Sequence, residues 1–496
     1  MIENKFSAPG PNIQKWLIAI FLLIYLLPFI RTNTHPTIDG SAHVYNAHLL
    51  GKMLIGNEFV SKYLYLNSLL IPNNLGHFIL LFLQFIIPLE YVEKCFQILL
   101  LLLSWHSFYL IIRILKNENI IWSILILPFT YSFLLISGFY NFLIGIPLIF
   151  YGLYFYFQKK EGWLFLISLL SYFAHIIIGC AFLMIQLILF ITGKNSSDKM
   201  PFGHLLKVNL PAIILCLSYL INNNKPDSQF FYLKPAELFS LIYNLRPLIN
   251  YSWKDELFYN ATFGIFLLIF SAILIIIKLK SNVNFTKDIF YKLRWLIVSL
   301  AFLLIFTVTP DSSSFAGFLS VRFCFLFLLF LCLFIAEYTW NNYANFILCA
   351  VIFFYSLKLF QSYPIIKDLS AQAAELTSAG KLIEENSIVH VVDYSDNWLK
   401  IHFNNNLGMN KTVILDENYE AENESFPLGW KNKPTRINVE NNSVVSYVTE
   451  SPNYILIYEG SAEKRTHCIN YVELNGKLKL EEKYSGPQFV LFKMIR

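Results

Sequence analysis

The sequence predicts a polytopic α-helical membrane protein with a C-terminal soluble α/β domain, and three observations carry that prediction. Hydrophobic residues fill 56% of the 496 positions and charged residues only 14%, with mean hydropathy +0.52, too apolar a balance for a soluble chain of this size. Apolar runs close to the length of a bilayer crossing recur between residues 16 and 360. Beyond Tyr363-Pro364 the composition turns polar and charged. The net charge of +5 is small and sits largely in short loops, where it reads as a topology signal; no nucleic-acid partner is implied.

The first run, residues 16–30, follows Lys5 and Lys15 and ends in Arg31-Thr32-Asn33 without a small-residue cleavage pattern. It is therefore expected to remain as an uncleaved first helix. Further clear runs occupy 91–112, 120–136, 141–157, 204–221, 260–277, 293–308, 318–337 and 343–360. Two stretches need a second criterion. Residues 77–88 are short for a span, and 163–192 are long for one crossing and are interrupted by Ser171, His175 and Gly179. Placing 77–88 in the interface and letting 163–192 cross twice puts Arg113/Lys116, Lys159/Lys160, Lys194/Lys199/Lys207 and Lys278/Lys280/Lys287/Lys292/Arg294 on the cytoplasmic side. The expectation is about eleven crossings, an inner N-terminus and an outer C-terminus.

That topology sends residues 31–76, the turn Ser137-Gly138-Phe139-Tyr140-Asn141, the neighbourhood of His175, the loop 222–258 and residues 309–314 to the extracytoplasmic face. A soluble domain follows from residue 364, with a helix over 366–386 and β-like runs at 387–392, 412–415, 443–448, 454–458, 477–480 and 489–492. The seven cysteines show no CxxC spacing and, Cys468 apart, lie in apolar runs. They read as small buried residues.

The polar stretch just past the first helix carries the chemistry. Asp39 precedes an amphipathic helix expected over 41–55, with Val44, Ala47, Leu50 and Leu54 at helical spacing. Asp is a favoured N-cap, so cap and catalytic acid are competing readings. His35, His43 and His48 lie nearby, but His43 and His48 diverge on a helix and no HExxH or His-x-His spacing occurs. No metal ligand is assigned; a divalent cation is compatible with the loop but not required. Arg322 lies just inside the outer end of a span, where a planar fork suits a lipid phosphate and where a snorkelling end or an ion pair with Asp311 is the alternative. His175 and Asn141 stand at outer helix ends, where polar residues often bond a neighbouring helix. In the loop 222–258, Lys234, Glu237, Arg246, Lys254, Asp255 and Glu256 alternate with Tyr232, Tyr243, Tyr251 and Trp253, a composition that serves an interfacial belt or a sugar platform equally.

In order, Asp39-Gly40-Ser41-Ala42-His43-Val44-Tyr45-Asn46-Ala47 after a first helix, Pro72-Asn73-Asn74-Leu75-Gly76-His77 through Pro88, and a span ending in Arg113-Ile114-Leu115-Lys116 resemble the polytopic GT-C glycosyltransferases. The likeness is to the group that includes protein O-mannosyltransferases and the aminoarabinose transferase of lipid A. In that family the outer loop commonly opens with Asp-Glu; here Gly40 stands at the second position. The family's second outer loop usually carries an acid, and here Ser137-Gly138-Phe139-Tyr140-Asn141 carries none, so the resemblance brings no metal requirement with it.

The resemblance implies transfer of a sugar from a polyprenyl-phosphate donor to a glycan, lipid or protein acceptor on the outer face, with inversion. Asp39 would act as base, and Arg322 would neutralise the departing phosphate with help from His35 and His43 of the first loop; His175 and Asn141 are the remaining substrate-side candidates. No GxGxxG or P-loop pattern is present. Two other readings stay open. A transporter would concentrate charge at mid-span, whereas this chain crowds its polar residues on one face. A non-catalytic scaffold presenting the outer domain is the second.

Overall fold

The computed structural model describes residues 11–115, 117–193, 200–222, 229–280, 287–312, 317–434, 436–438, 443–445, 452–476 and 479–495. Lys5, Lys116, Lys194, Lys199, Ser313 and Ser314, with residues 223–228, 446–448 and 477–478, lie outside them. The chain forms two compact units, one of Met1–Arg31 with Gln97–Ile365 and the other of Thr32–Phe96 with Ile366–Arg496.

The first is the membrane unit, and the protein is an integral membrane protein. Among the described residues seven helices are long and apolar enough to cross a bilayer. They are Pro11–Arg31, Leu89–Leu115, Tyr140–Phe157, Phe202–Asn222, Trp253–Lys280, Leu319–Ala336 and Asn342–Gly380. Three other expected crossings are shorter helices, Glu161–Ala174, Ile176–Thr192 and Arg294–Val308. The first two divide at His175, whose extended backbone (φ −166°) starts the second helix while its Nδ1 accepts from Ile177 N. The last expected run, 120–136, is broken: a 3₁₀ stretch Asn117–Ile126 leads into the short helices Leu127–Thr130 and Phe133–Ile136. Pro128 supplies no amide hydrogen and Ser132 caps the next turn by accepting from Leu135 N.

Two buried carboxylates of this unit, Glu337 and Glu256, are paired with cations. Glu337 binds both Lys278, at 3.1 Å, and Arg294, joining the ends of Trp253–Lys280 and Leu319–Ala336 to the start of Arg294–Val308. Glu256 accepts from the backbone amides of Asn250, Tyr251 and Ser252 at 2.6, 2.7 and 3.1 Å and from Lys358 at 2.8 Å. Such satisfaction is what a buried carboxylate needs.

The second unit is built on a five-stranded sheet in the order Val413–Leu415, Ser387–Asp393, Tyr454–Tyr458, Phe489–Ile495, Lys479–Ser485. The first three strands are parallel and the last two pair antiparallel. The central strand Tyr454–Tyr458 is buried along its whole length, as its uninterrupted apolar run requires. Ile455 and Ile457 pack with Val490, Phe492 and Met494 and with Cys468 and Val472 of the helix Ala462–Gly476.

Two boundaries differ from the sequence reading. Residues 31–76 and 77–88, counted there with the spans, pack almost entirely with the C-terminal residues; only Arg31 falls to the membrane unit. Leu64–Leu66 even pairs antiparallel with Leu428–Trp430. The composition change at Tyr363-Pro364 falls inside the single helix Asn342–Gly380, with Pro364 within it. The helix continues while its surroundings change, so composition marks the change of solvent and not the end of an element. The short helix Leu75–Gln84 buries Gly76, His77, Leu80 and Leu81 and turns Phe78 and Phe82 outward, with Phe85 and Ile86 exposed just beyond it. An apolar outward face of this kind suits a bilayer interface.

At the end of its strand, burial raises the Asp393 carboxyl to about 6, with the Ser395 amide opposing and Glu459 assisting. Between its ordinary value of 3.8 and about 6 the folded state holds the extra proton, so this contribution to stability is lost as pH rises through that window. Asp393→Asn should raise the Tm at neutral pH by a few degrees and leave it unchanged near pH 4, as thermal unfolding in detergent at the two pH values would show.

Candidate functional site

The loop after the first helix is held by a carboxylate from another helix. Glu93 Oε1 accepts from Thr37 N at 3.0 Å and from Thr37 Oγ1 at 2.9 Å. It lies so close to Gly40 that a Cβ there would stand 1.8 Å from it. Asp39 occupies the N-cap position of the helix Gly40–Leu54, and its carbonyl accepts from His43 N at 2.9 Å. Its side chain makes no capping bond. The cap reading therefore does not account for this acid.

The Asp39 carboxylate instead faces residues from the C-terminal half. His402 Nε2 lies 3.7 Å from Asp39 Oδ1, and the two side chains keep 15% and 18% exposure. The His402 ring stacks on Tyr419 at 4.2 Å. Burial pushes His402 down to about 4, with Glu420 opposing and His43 adding to the effect, so the ring is neutral at neutral pH. Burial together with the charges of Asp39 and Glu420 raises the Tyr419 phenol well above its ordinary range; it remains a protonated donor.

Behind this group, Glu420 bridges two imidazoles. His43 Nδ1 is 2.6 Å from Oε1 and His77 Nε2 is 2.8 Å from Oε2. Burial works against the ionised carboxylate, but His77 and His43 outweigh it and hold Glu420 at about 2. Phe426 packs on both imidazoles, at 5.9 and 5.7 Å. One ligand atom from each of His43, His77 and Glu420 falls within 4.8 Å of the others. These are the residues that could hold a metal ion.

Four residues of the helix Gly40–Leu54 dock it. Ser41 Oγ donates to the His402 carbonyl at 2.7 Å and His43 meets Glu420. The Tyr45 hydroxyl donates to Val413 O at 2.9 Å and accepts from Leu415 N at 3.0 Å. Asn46 and Asn418 exchange amide hydrogen bonds of 3.1 and 2.7 Å.

In the membrane unit, Arg322 Nη1 lies 2.9 Å from His175 Nε2, and its guanidinium lies 4.4 Å above the Phe139 ring and 5.8 Å from Phe142. Asn141 is buried at the start of Tyr140–Phe157. Three features that the sequence sends to one face thus meet within this unit: the turn at 137–141, the break at His175 and the start of Leu319–Ala336.

No family model matches the chain, and no curated protein does. Among solved structures it is similar to ArnT from Cupriavidus metallidurans in the apo state, with a TM-score of 0.53, 10% sequence identity and 97% of each chain covered. The same protein bound to undecaprenyl phosphate matches at a TM-score of 0.50 and 9% identity over 98% of each chain. The fold is that of a GT-C membrane glycosyltransferase.

Within this GT-C fold, Asp39 and His43 fall in one cluster. His35 is buried in the same unit, while Arg322, His175 and Asn141 belong to the membrane unit. His43 joins His77 and Glu420 in place of His35 and His48. Glu93, His402, Tyr419 and Glu420 were not legible as site residues. One signal pointed toward the last two: Asp416-Glu417-Asn418-Tyr419-Glu420 follows the carboxyl end of a strand, and the carboxyl ends of parallel strands are where ligand-binding loops gather.

Gly40→Ala tests the loop. Alanine gains up to about 1 kcal/mol of helix propensity, but the clash with the buried Glu93 carboxylate costs about 1–3 kcal/mol in overpacking and breaks the Thr37 hydrogen bonds. The net outcome is a lower Tm in detergent and faster proteolysis between residues 32 and 40.

Proposed function

We propose that this chain transfers a glycosyl group from a polyprenyl-phosphate-linked donor to an acceptor on the extracytoplasmic face, in one inverting displacement with Asp39 as general base. The observation that carries the reading is the Asp39 carboxylate. It stands at a helix start without capping it, partly open to solvent, beside a neutral imidazole and a protonated phenol. The fold supports the reaction class, and the ArnT neighbour bound to undecaprenyl phosphate supports a lipid-linked donor.

In the step itself, Asp39 accepts the proton of an acceptor hydroxyl as that oxygen bonds to the anomeric carbon. The bond from that carbon to the phosphate oxygen breaks, and the phosphate leaves on its lipid. His402 and Tyr419 orient the carboxylate. Arg322, in the membrane unit, is assigned to a phosphate of the lipid carrier, for which its fixed donor fork and permanent charge suit it. The donor arrives by lateral diffusion, so no nucleotide loop is needed.

The orientation belongs to the same reading. Lys278, Arg294 and Glu337 tie three helix ends together, and the neighbouring Lys280 and Lys292 make that end the basic, cytoplasmic one. Residues 32–96 and 366–496 are then extracytoplasmic.

Asp39→Asn should lower transfer by about 10²–10⁴-fold with unchanged membrane insertion. The glycolipid and glycan profile of a deletion strain should regain a sugar-bearing species with the wild-type chain and not with the variant. Full complementation by Asp39→Asn removes Asp39 from the base role, and an unaltered profile on deletion favours the scaffold reading. Arg322→Ala should weaken undecaprenyl phosphate binding by roughly 10–100-fold, the worth of a charge-assisted hydrogen-bond pair, as native mass spectrometry of the detergent complex would report.

A further inference from the structure

We propose that His43, His77 and Glu420 form a binding site for one divalent transition-metal ion of the zinc class, and that the ion locks the helix bearing Asp39. The proposal goes beyond sugar transfer and does not depend on it.

The donor set comes first. His43 Nδ1 and His77 Nε2 converge on the two oxygens of one carboxylate, at 2.6 and 2.8 Å. All three side chains are buried, at 5%, 1% and 1% exposure. Two imidazole nitrogens and a carboxylate match zinc and its first-row neighbours; magnesium and calcium require mostly oxygen ligands. A tetrahedral ion with bonds of about 2.0–2.2 Å sets its donors roughly 3.4 Å apart. The present contacts therefore open by less than about 1 Å to admit it, a displacement within reach of side-chain torsions.

The surroundings are those of a ligating histidine. The Nδ1–H of His77 donates to the Asn73 carbonyl at 3.3 Å, which turns Nε2 toward Glu420, where a metal ion would displace the proton shared with the carboxylate. Such a carbonyl partner fixes the tautomer and the ring plane of metal-bound imidazoles. Phe426 closes one side against both rings, and the rings meet edge to face at 5.1 Å. Another buried histidine–carboxylate contact among the described residues, His390 with Asp416, differs: it has one imidazole, and Asp416 Oδ1 is taken by Val391 N at 3.0 Å. It is a hydrogen-bonded pair and not a convergent donor set.

The position gives the ion its task. It joins the helix Gly40–Leu54, the helix Leu75–Gln84 and the loop around residue 420, three segments far apart in sequence within one unit. His43 lies one helical turn beyond Asp39, whose carbonyl accepts its amide hydrogen. Holding His43 fixes the turn that carries the Asp39 carboxylate.

The test uses the purified full-length chain in detergent, freed of any affinity tag, incubated with Zn²⁺, desalted and analysed for metal by mass spectrometry. The expected result is one equivalent of zinc in the wild type, loss by roughly tenfold or more in Glu420→Gln and His77→Ala, and retention in His77→Cys, which supplies a thiolate. With Co²⁺ in place of zinc, the wild type should show the visible bands of four-coordinate cobalt, and His77→Cys should add a thiolate charge-transfer band. This arm decides the matter even where Glu420→Gln or His77→Ala fails to fold. A monodisperse wild type that holds no zinc and gives no cobalt bands overturns the site, as does a folded Glu420→Gln with wild-type metal content. Neither readout measures sugar transfer, so failure here and failure of the transferase reading are separate results.

Discussion

The second unit depends on the polar side of one helix, Gly40–Leu54, laid against residues 402–420. Ser41, His43, Tyr45 and Asn46 each find a partner more than 360 positions away. Each such bond is worth only about 0.5–1.5 kcal/mol net. The constraint lies in the alternative, because a buried polar group left without its partner costs about 1–3 kcal/mol. The helix therefore has one acceptable seat, and Asp39 at its start inherits that seat. A loop acid near a membrane surface would otherwise be free to wander. Here it is placed by contacts that begin two residues further along the chain.

The membrane unit solves a different problem with the same rule. Its interior is aromatic and aliphatic, so each buried charge needs a local answer. Glu256 collects three backbone amides and Lys358, and Glu337 collects a lysine and an arginine. Arg322 is answered by an imidazole and an aromatic face.

What was legible in the sequence was local. Apolar length marked the long helices, His175 marked the division of 163–192, and the helix beginning at Gly40 followed from its spacing. The strands Ser387–Asp393, Tyr454–Tyr458 and Phe489–Ile495 followed from short β-branched and aromatic runs. The misses share a cause in long-range packing. Nothing local ties Glu420 to His43 or Leu64 to Trp430, and nothing in composition separates a helix that ends at Pro364 from one that continues through it. The stretch 120–136 has the hydropathy of a span, yet hydropathy says nothing of whether its hydrogen bonds close as α or 3₁₀.

The space beside Gly40 bears on how such chains are recognised. A carboxyl group sits where a side chain at that position would begin, but it is contributed by Glu93, more than fifty residues downstream. A second carboxylate thus stands beside the residue that follows Asp39, supplied by a distant segment. Positions 40 and 93 then behave as one compartment with room for a single acid, so a bulky residue at one demands a small one at the other. A search keyed to two consecutive acidic letters passes over a chain in which the carboxylate beside position 40 arrives from position 93.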